Sequence, residues 1–133
     1  MAETDVIRIA AALIVDGRGR VLLVRKAGTR AFMQPGGKFE PGETPAQALA
    51  RELNEELGLV VEASAAQFLG VFTAPAANEP GRTVEAALFR VRADQTPVPA
   101  AEIDEIAWID PRRCGAILLA PLTRDHVLPL AAG

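Results

Sequence analysis

The stretch GKFEPGETPAQALARELNEELGL, residues 37–59, carries the strongest structural signal in the chain. It begins within Pro35–Gly42, a segment so rich in glycine and proline that we predict a loop there. Thr44 then suits a helix N-cap, Pro45 fits the first helical position, and Gln47 completes a capping box with Thr44. The stretch therefore predicts a loop that leads into a well-capped helix.

The predicted helix covers Ala46–Leu57 and ends at Gly58, which suits a left-handed C-cap. At about 100° per residue, one face of this helix is entirely apolar: Ala46, Leu49, Ala50, Leu53 and Leu57. Another face carries Glu52, Glu55 and Glu56 at spacings of i, i+3 and i+4. Like charges so close destabilise a helix by about 0.2–0.5 kcal/mol per pair, and the helix dipole disfavours them further near its C-terminus.

Two explanations of this glutamate face remain open from spacing alone. A hard divalent cation would offset the repulsion, because Mg²⁺ prefers oxygen ligands and often shares them with substrate phosphates. Gly36 and Gly37 would let the backbone approach such a cation closely. Glutamate-rich helix faces are usually solvated, however, and Arg51 with Glu55 has the spacing of an ordinary surface ion pair. Spacing by itself favours the solvated face.

The rest of the chain alternates strand-like runs with turns. The predicted strands are Val6–Asp16, Val21–Arg25, Val60–Val61, Phe68–Thr73, Thr83–Arg92 and Glu105–Asp110. The first two flank the turn signal Asp16–Gly19, which predicts a hairpin between them. Pro111–Leu130 is expected to form one or two short helices, interrupted by Pro121 and ended near Pro129. We therefore predict one domain over residues 1–133, with a mixed sheet packed between helices.

Composition limits the classes of function. A net charge of −3 and a pI of about 5.2 give no basic face for a polymeric nucleic acid, although a metal could help to bind a small anion. The apolar runs are too short for a membrane span, and Met1–Asp5 lacks the layout of a signal peptide. The single cysteine, Cys114, excludes an internal disulfide. We expect a cytoplasmic protein without a membrane partner.

Residues 37–59 resemble the Nudix box in full. That pattern is Gly, five residues, Glu, seven residues, and then Arg-Glu-U-x-Glu-Glu-x-Gly-U, where U is a bulky aliphatic residue, and all nine fixed or class positions match. The resemblance implies a fold that combines helices and strands, α/β or α+β in class. Its architecture is an α/β/α sandwich with a mixed central β-sheet. It also implies a hydrolase that cleaves a diphosphate linkage in nucleoside diphosphate-X compounds or nucleoside triphosphates, which are small nucleotide substrates.

The resemblance also assigns roles within the box. It implies Mg²⁺ as the cofactor, with Mn²⁺ as a substitute. The implied metal ligands are the carboxylates of Glu52, Glu55 and Glu56 and the carbonyl of Gly37. The implied catalytic set is Glu52, Glu56, Arg51 and Glu43. Within this set Glu52 is the candidate base that activates water, and Glu43 pairs with Arg51 to support the loop.

Outside the box the assignments are less specific. Many family members use a further acidic residue beyond the middle of the sheet, and Glu102 and Glu105 are candidates, with an exposed charge as the alternative. Four cations could contact substrate phosphates or simply be solvated, namely Arg25, Lys26, Arg30 and Lys38, of which Lys38 has the best position. For the aromatic residues Phe32, Phe72 and Trp108, packing in the core is favoured over stacking on a base.

Two functions follow from the resemblance. The compact length suggests a MutT-like triphosphate pyrophosphohydrolase, and a homodimer is possible. The alternative is a nucleotide-binding sensor without catalysis, but such domains usually lose glutamates of the box, and this chain keeps all of them. The complete box therefore favours the enzyme.

Overall fold

The computed structural model describes residues 5–133, so the expectation for Met1–Asp5 falls almost entirely outside the described residues. The strands are β1 (Val6–Ile14), β2 (Val21–Lys26), β3 (Gly36–Lys38), β4 (Gln67–Pro75), β5 (Thr83–Val91) and β6 (Ile103–Ile109). The helices are α1 (Pro45–Leu57), a 3₁₀ turn (Ala63–Ala65), a π-helical segment (Thr123–Val127) and α2 (Leu128–Ala132).

The strands form two sheets. The larger has the order β3-β1-β5-β4, in which β1 and β5 are parallel and the other pairs are antiparallel. The smaller is the antiparallel pair β2-β6. The predicted mixed central sheet is therefore confirmed.

The predicted hairpin between the first two strands is wrong. The turn itself forms, since the Asp16 carboxylate accepts hydrogen bonds from the backbone N–H groups of Arg18 and Arg20, both at 2.9 Å. Beyond the turn, however, only an isolated bridge between Val15 and Val21 joins the two segments. Both edges of β1 are occupied by β3 and β5, so β2 pairs with β6 instead.

Three further expectations about local structure are wrong. Val60–Val61 forms no strand, because Val60 is exposed and donates its N–H to the side chain of Gln95. The predicted loop contains the short strand β3, which pairs with β1. Pro121 begins a helical run through residue 132, and Pro129 does not end this run but lies within it, in α2, which directly follows the π-helical segment.

The capping of α1 is as predicted. Thr44 Oγ1 accepts from the N–H of Gln47 at 3.2 Å, and Gln47 Oε1 accepts from the N–H of Thr44 at 3.0 Å. Gly58 ends the helix in the left-handed conformation, with φ of 67°. Local capping thus sets both ends of the helix that carries the glutamates.

Helices cover both faces of the central layer. Alternate residues of β1 face a first core with α1, whose members include Ala10, Ala12, Leu49, Leu53 and Leu57. The intervening residues face a second core with the C-terminal helical run, whose members include Ala11, Leu13, Leu122, Val127 and Leu128. Side chains of β2 enter both cores, so the smaller sheet extends the same layer. None of the helices in residues 5–133 has the length and apolar character needed to span a membrane.

Candidate active site

A cavity of about 610 Å³ opens beside α1 and β3. Its volume is in the range of sites for small ligands. Its charged lining comes from α1, the end of β2, β3 and two loops, namely Glu52, Glu56, Lys26, Lys38, Glu79 and Glu102. Its apolar lining includes Ile7, Ile9 and Val84 from the neighbouring strands β1 and β5. The cavity therefore combines carboxylates, cations and an apolar wall.

Glu56 is a buried carboxylate with an unsatisfied oxygen. Its side chain comes from α1 but is only 5% exposed, and its Oε1 has no hydrogen-bond partner among the described residues. Burial raises its pKa to about 7, and the charge of Glu52 adds to this effect, while Lys26 and the backbone N–H of Gly36 oppose it. A buried carboxylate oxygen without a partner is costly, which makes Glu56 suited to binding a cation.

Glu52 lies one helical turn before Glu56 and lines the same cavity. Burial raises its pKa, whereas the neighbouring charges of Arg51 and Lys26 lower it. Its carboxylate packs directly on Gly37, where a β carbon would overlap it. Residue 37 must therefore lack a side chain if Glu52 is to keep this position.

Arg51 and Glu43 form a two-pronged ion pair behind the site. Arg51 Nε and Nη2 lie 2.7 and 2.9 Å from the two carboxylate oxygens of Glu43. Arg51 Nη2 also donates to the carbonyl of Lys38 at 3.1 Å, and Glu43 accepts from the N–H of Glu40 at 2.8 Å. The hydrogen bond from Arg51 lowers the pKa of Glu43 and raises that of Arg51 itself. The pair thus ties the glycine-rich loop to α1.

Glu55 is not in the cavity lining. Its side chain is about half exposed and accepts from Arg51 Nη1 at 3.2 Å. Across residues 5–133, no three Asp, Glu, His or Cys side chains converge on one point that could hold a metal. The structure therefore brings together Glu52 and Glu56 but leaves Glu55 engaged with Arg51.

The cavity nevertheless fits a divalent cation of the Mg²⁺ type. Such an ion commonly takes only one or two carboxylates from the protein and fills its other positions with water and substrate phosphate. Glu52 and Glu56 provide those carboxylates, and the oxygen of Glu56 without a partner is an available ligand atom. The backbone of Gly37 lies beside them, and its carbonyl is the further ligand that the resemblance implies.

The other predicted binding residues divide into two groups. Lys38 and Glu102 line the cavity, and the charge of Glu102 contributes to the raised pKa of Glu56. Arg25 and Glu105 lie outside its lining, because they bind each other at 3.1 Å on the smaller sheet, where Arg25 also bonds Asp104. Arg30 is exposed and does not line the cavity either.

Other residues of the lining were not singled out from the sequence, chiefly Gln34, Thr29 and Asn78. Of these, only Gln34 has a sequence feature that could have identified it, namely a polar amide between an apolar segment and the glycine-rich loop. The aromatic residues are in the positions that packing favoured: Phe32 and Phe72 contact the second core and Trp108 the first.

Comparison with known proteins gives the family. The model of the NUDIX domain matches residues 6–131. An 8-oxo-dGTP diphosphatase of Haemophilus influenzae is 44% identical over 62 residues, covering 44% of this chain and 46% of that protein. An RNA pyrophosphohydrolase of Halorhodospira halophila is 47% identical over 60 residues, covering 44% of this chain and 33% of that protein. The matches thus span less than half of these curated relatives.

A solved structure shows the same fold. The MutT protein from Methanosarcina mazei superposes with a TM-score of 0.76 at 22% identity, covering 99% of this chain and 96% of that chain. The family model, by contrast, rests on sequence and extends over almost all of the described residues. The chain therefore belongs to the NUDIX domain family.

Proposed function

We propose that the protein is a Mg²⁺-dependent hydrolase that cleaves a phosphoanhydride linkage in a nucleoside triphosphate or a nucleoside diphosphate-X compound. The products are a nucleotide with phosphate or pyrophosphate, or with phospho-X. One observation carries the proposal: the buried, partnerless carboxylate oxygen of Glu56 lies in a cavity that also holds Glu52 and two lysines. The relatives named diphosphatase and pyrophosphohydrolase support the same type of linkage.

Glu52, Glu56 and the Gly37 carbonyl would hold the metal, with Mn²⁺ as a substitute for Mg²⁺. Glu55 is a further ligand if it exchanges its bond to Arg51 for the cation. When bound, the ion supplies Lewis acidity toward a phosphoryl oxygen and lowers the pKa of water. Its positive charge also offsets the repulsion between the carboxylates. Burial otherwise disfavours their charged forms.

The residues of the chain have separate tasks in the reaction. Glu52 accepts the proton of the attacking water, and Glu102, which also lines the cavity, is the alternative base. Lys26 and Lys38 bind phosphate oxygens and stabilise the charge that develops on them. Arg51 and Glu43 touch no substrate and keep the loop of Gly37 against α1.

The test is turnover on a panel of nucleoside triphosphates and nucleoside diphosphate-X compounds with Mg²⁺. We expect hydrolysis of at least one class and a loss of about 10²-fold or more in kcat for Glu56→Gln, in line with the effect of losing one electrostatic contact at a reacting centre. Glu62→Gln is the matched control, since Glu62 is exposed and outside the cavity. Nucleotide binding without turnover would support the sensor instead, and full activity of Glu56→Gln would refute the site.

A further inference from the structure

Gln34 is a buried amide at the wall of the cavity. It precedes β3, is 6% exposed and lines the cavity, although its neighbours on both sides, Met33 and Pro35, are apolar. The two N–H donors and the carbonyl of a buried amide each need a hydrogen-bond partner, because an unpaired buried group costs stability. The arrangement of its hydrogen bonds therefore carries information about what the cavity binds.

Thr123 fixes the orientation of this amide. Thr123 Oγ1 accepts from the backbone N–H of Gln34 at 3.2 Å and donates to Gln34 Oε1 at 2.7 Å. Thr123 is fully buried, so its hydroxyl proton needs an acceptor inside the protein, and Gln34 Oε1 provides it. In the reverse orientation the NH₂ group would replace Gln34 Oε1 beside the hydroxyl, and the hydroxyl proton would lose the acceptor that Oε1 provides.

The NH₂ group of Gln34 is consequently left for the cavity. No hydrogen bond from its Nε2 to another of residues 5–133 is formed, yet the atom is not sealed off from solvent. Gln34 belongs to the lining, and we assign its solvent-facing NH₂ group to the cavity. It offers two neutral donors there.

Gln34 and the carboxylates are held from opposite faces of the sheet, since Gln34 bonds Thr123 on the face of the second core. Ile9 and Val84 line the cavity from the side of the second core, the core to which the segment of Thr123 also belongs. The carboxylates come from α1, which packs on the opposite face of the sheet. An apolar wall and a neutral donor in the same cavity suit a flat nucleobase, whereas the metal and the lysines bind the phosphates.

We propose that Gln34 is a specificity-determining residue, whose NH₂ group donates to a carbonyl oxygen on the base of the substrate. This inference rests on the proposed function. Guanine and the 4-keto pyrimidines present a carbonyl where adenine and cytosine present an amino group. An amino group of the base that faced Gln34 would meet the NH₂ group of Gln34, and two hydrogen-bond donors cannot bond each other. Nucleotides with a keto base are therefore the preferred substrate class.

The first test compares kcat/KM for GTP with ATP and for UTP with CTP. We expect the wild type to prefer the keto base in both pairs by roughly tenfold or more, about the effect of one mispaired buried hydrogen bond. Gln34→Leu should bring both ratios close to one, and Gln34→Glu, which only accepts, should reverse them. Equal ratios in the wild type, or unchanged ratios in Gln34→Leu, would overturn the proposal.

Thr123 is a positioning residue in this scheme, and its variants give a second test. Thr123→Val removes the hydroxyl that orients the amide, so the base preference should fall, whereas Thr123→Ser keeps the hydroxyl and should retain it. A purely structural role of Thr123 would change stability and overall rate but not the ratio between bases. A retained ratio in a folded Thr123→Val would contradict the role assigned to Thr123.

Binding of GMP and AMP, measured by calorimetry without metal, separates this proposal from the proposed function. We expect GMP to bind the wild type about tenfold more tightly than AMP, and Gln34→Leu to lose the difference. If no nucleotide is hydrolysed but this difference is found, the proposed hydrolase fails and the base selection by Gln34 stands. If hydrolysis is found with equal binding of both monophosphates, or if neither binds, the selection by Gln34 is refuted.

Discussion

The carboxylate of Glu52 occupies the space that a β carbon on residue 37 would fill. Gly37 thus contributes to the site because it has no side chain, which lets the side chain of Glu52 pack directly against the backbone of β3. The contact also joins two residues of the Nudix box, Gly37 and Glu52, which are separated in the chain by a loop and about two helical turns.

Gly37→Ala should displace Glu52 without unfolding the protein. The added methyl group meets the far end of a flexible side chain, which can turn away. We expect kcat to fall by about 10²-fold, since a shift of roughly 1 Å at a catalytic group has effects of that size. Steady-state kinetics and thermal unfolding measure the two effects. Gly17→Ala is the control, because nothing lies within 4 Å of its added β carbon. Wild-type activity of Gly37→Ala would show that the position of Glu52 is not critical.

Sequence predicts the parts of this site that depend on near neighbours. The ends of α1 follow from Thr44, Gln47 and Gly58, which act within a few residues of the helix. The hairpin was wrong because β1 takes β5 as its parallel partner, and that choice depends on burial across the whole sheet rather than on the turn at Asp16.

The site shows the same division between local and distant effects. Helical spacing places three glutamates together, but only the packing of α1 decides that Glu56 is buried in the cavity while Glu55 bonds Arg51. The orientation of Gln34 depends on Thr123, a contact over a sequence separation of 89 residues. No local pattern in the sequence contains that information.

Without metal, Glu56 should make the protein less stable as the pH rises. Its pKa in the folded state is about 7, above its ordinary value, so the folded protein binds the proton more tightly than the unfolded chain. The stability from the protonated form is complete below the ordinary pKa and is lost as the pH rises through 7. The loss is of the order of 3 kcal/mol at most, from about 1.4 kcal/mol per pKa unit.

Thermal unfolding in EDTA between pH 5 and pH 8 measures this effect. Glu56→Gln should have a flatter pH dependence and a higher melting temperature than the wild type at pH 8, because no charge is buried. Glu62→Gln, an exposed glutamate, should follow the wild type. Parallel curves for Glu56→Gln and the wild type would show that Glu56 is not held in an unfavourable charged state.

Addition of Mg²⁺ should reverse that destabilisation. A cation that binds the folded state alone adds about 2.7 kcal/mol of stability at a hundredfold excess over its Kd. At pH 8 the melting temperature of the wild type should therefore rise with Mg²⁺ or Mn²⁺, and that of Glu56→Gln should rise much less. Equal shifts in both proteins would place the metal elsewhere.

Arg51→Lys should reduce activity although it keeps the positive charge. Lysine cannot reproduce the fork that binds both oxygens of Glu43 and the carbonyl of Lys38, so the loop of Gly37 loses its tie to α1. We expect kcat to fall by about 10- to 100-fold, the usual effect of losing a residue that orients a metal ligand, with KM less affected.

Steady-state kinetics of Arg51→Lys and Glu43→Gln distinguish positioning from a direct role in binding phosphate. Both variants break the same pair, so a positioning role predicts similar losses in kcat for the two, and a double variant little worse than either. If Arg51 bound substrate directly, Arg51→Lys would raise KM while Glu43→Gln would not. That outcome would move Arg51 from the support of the loop into the binding site itself.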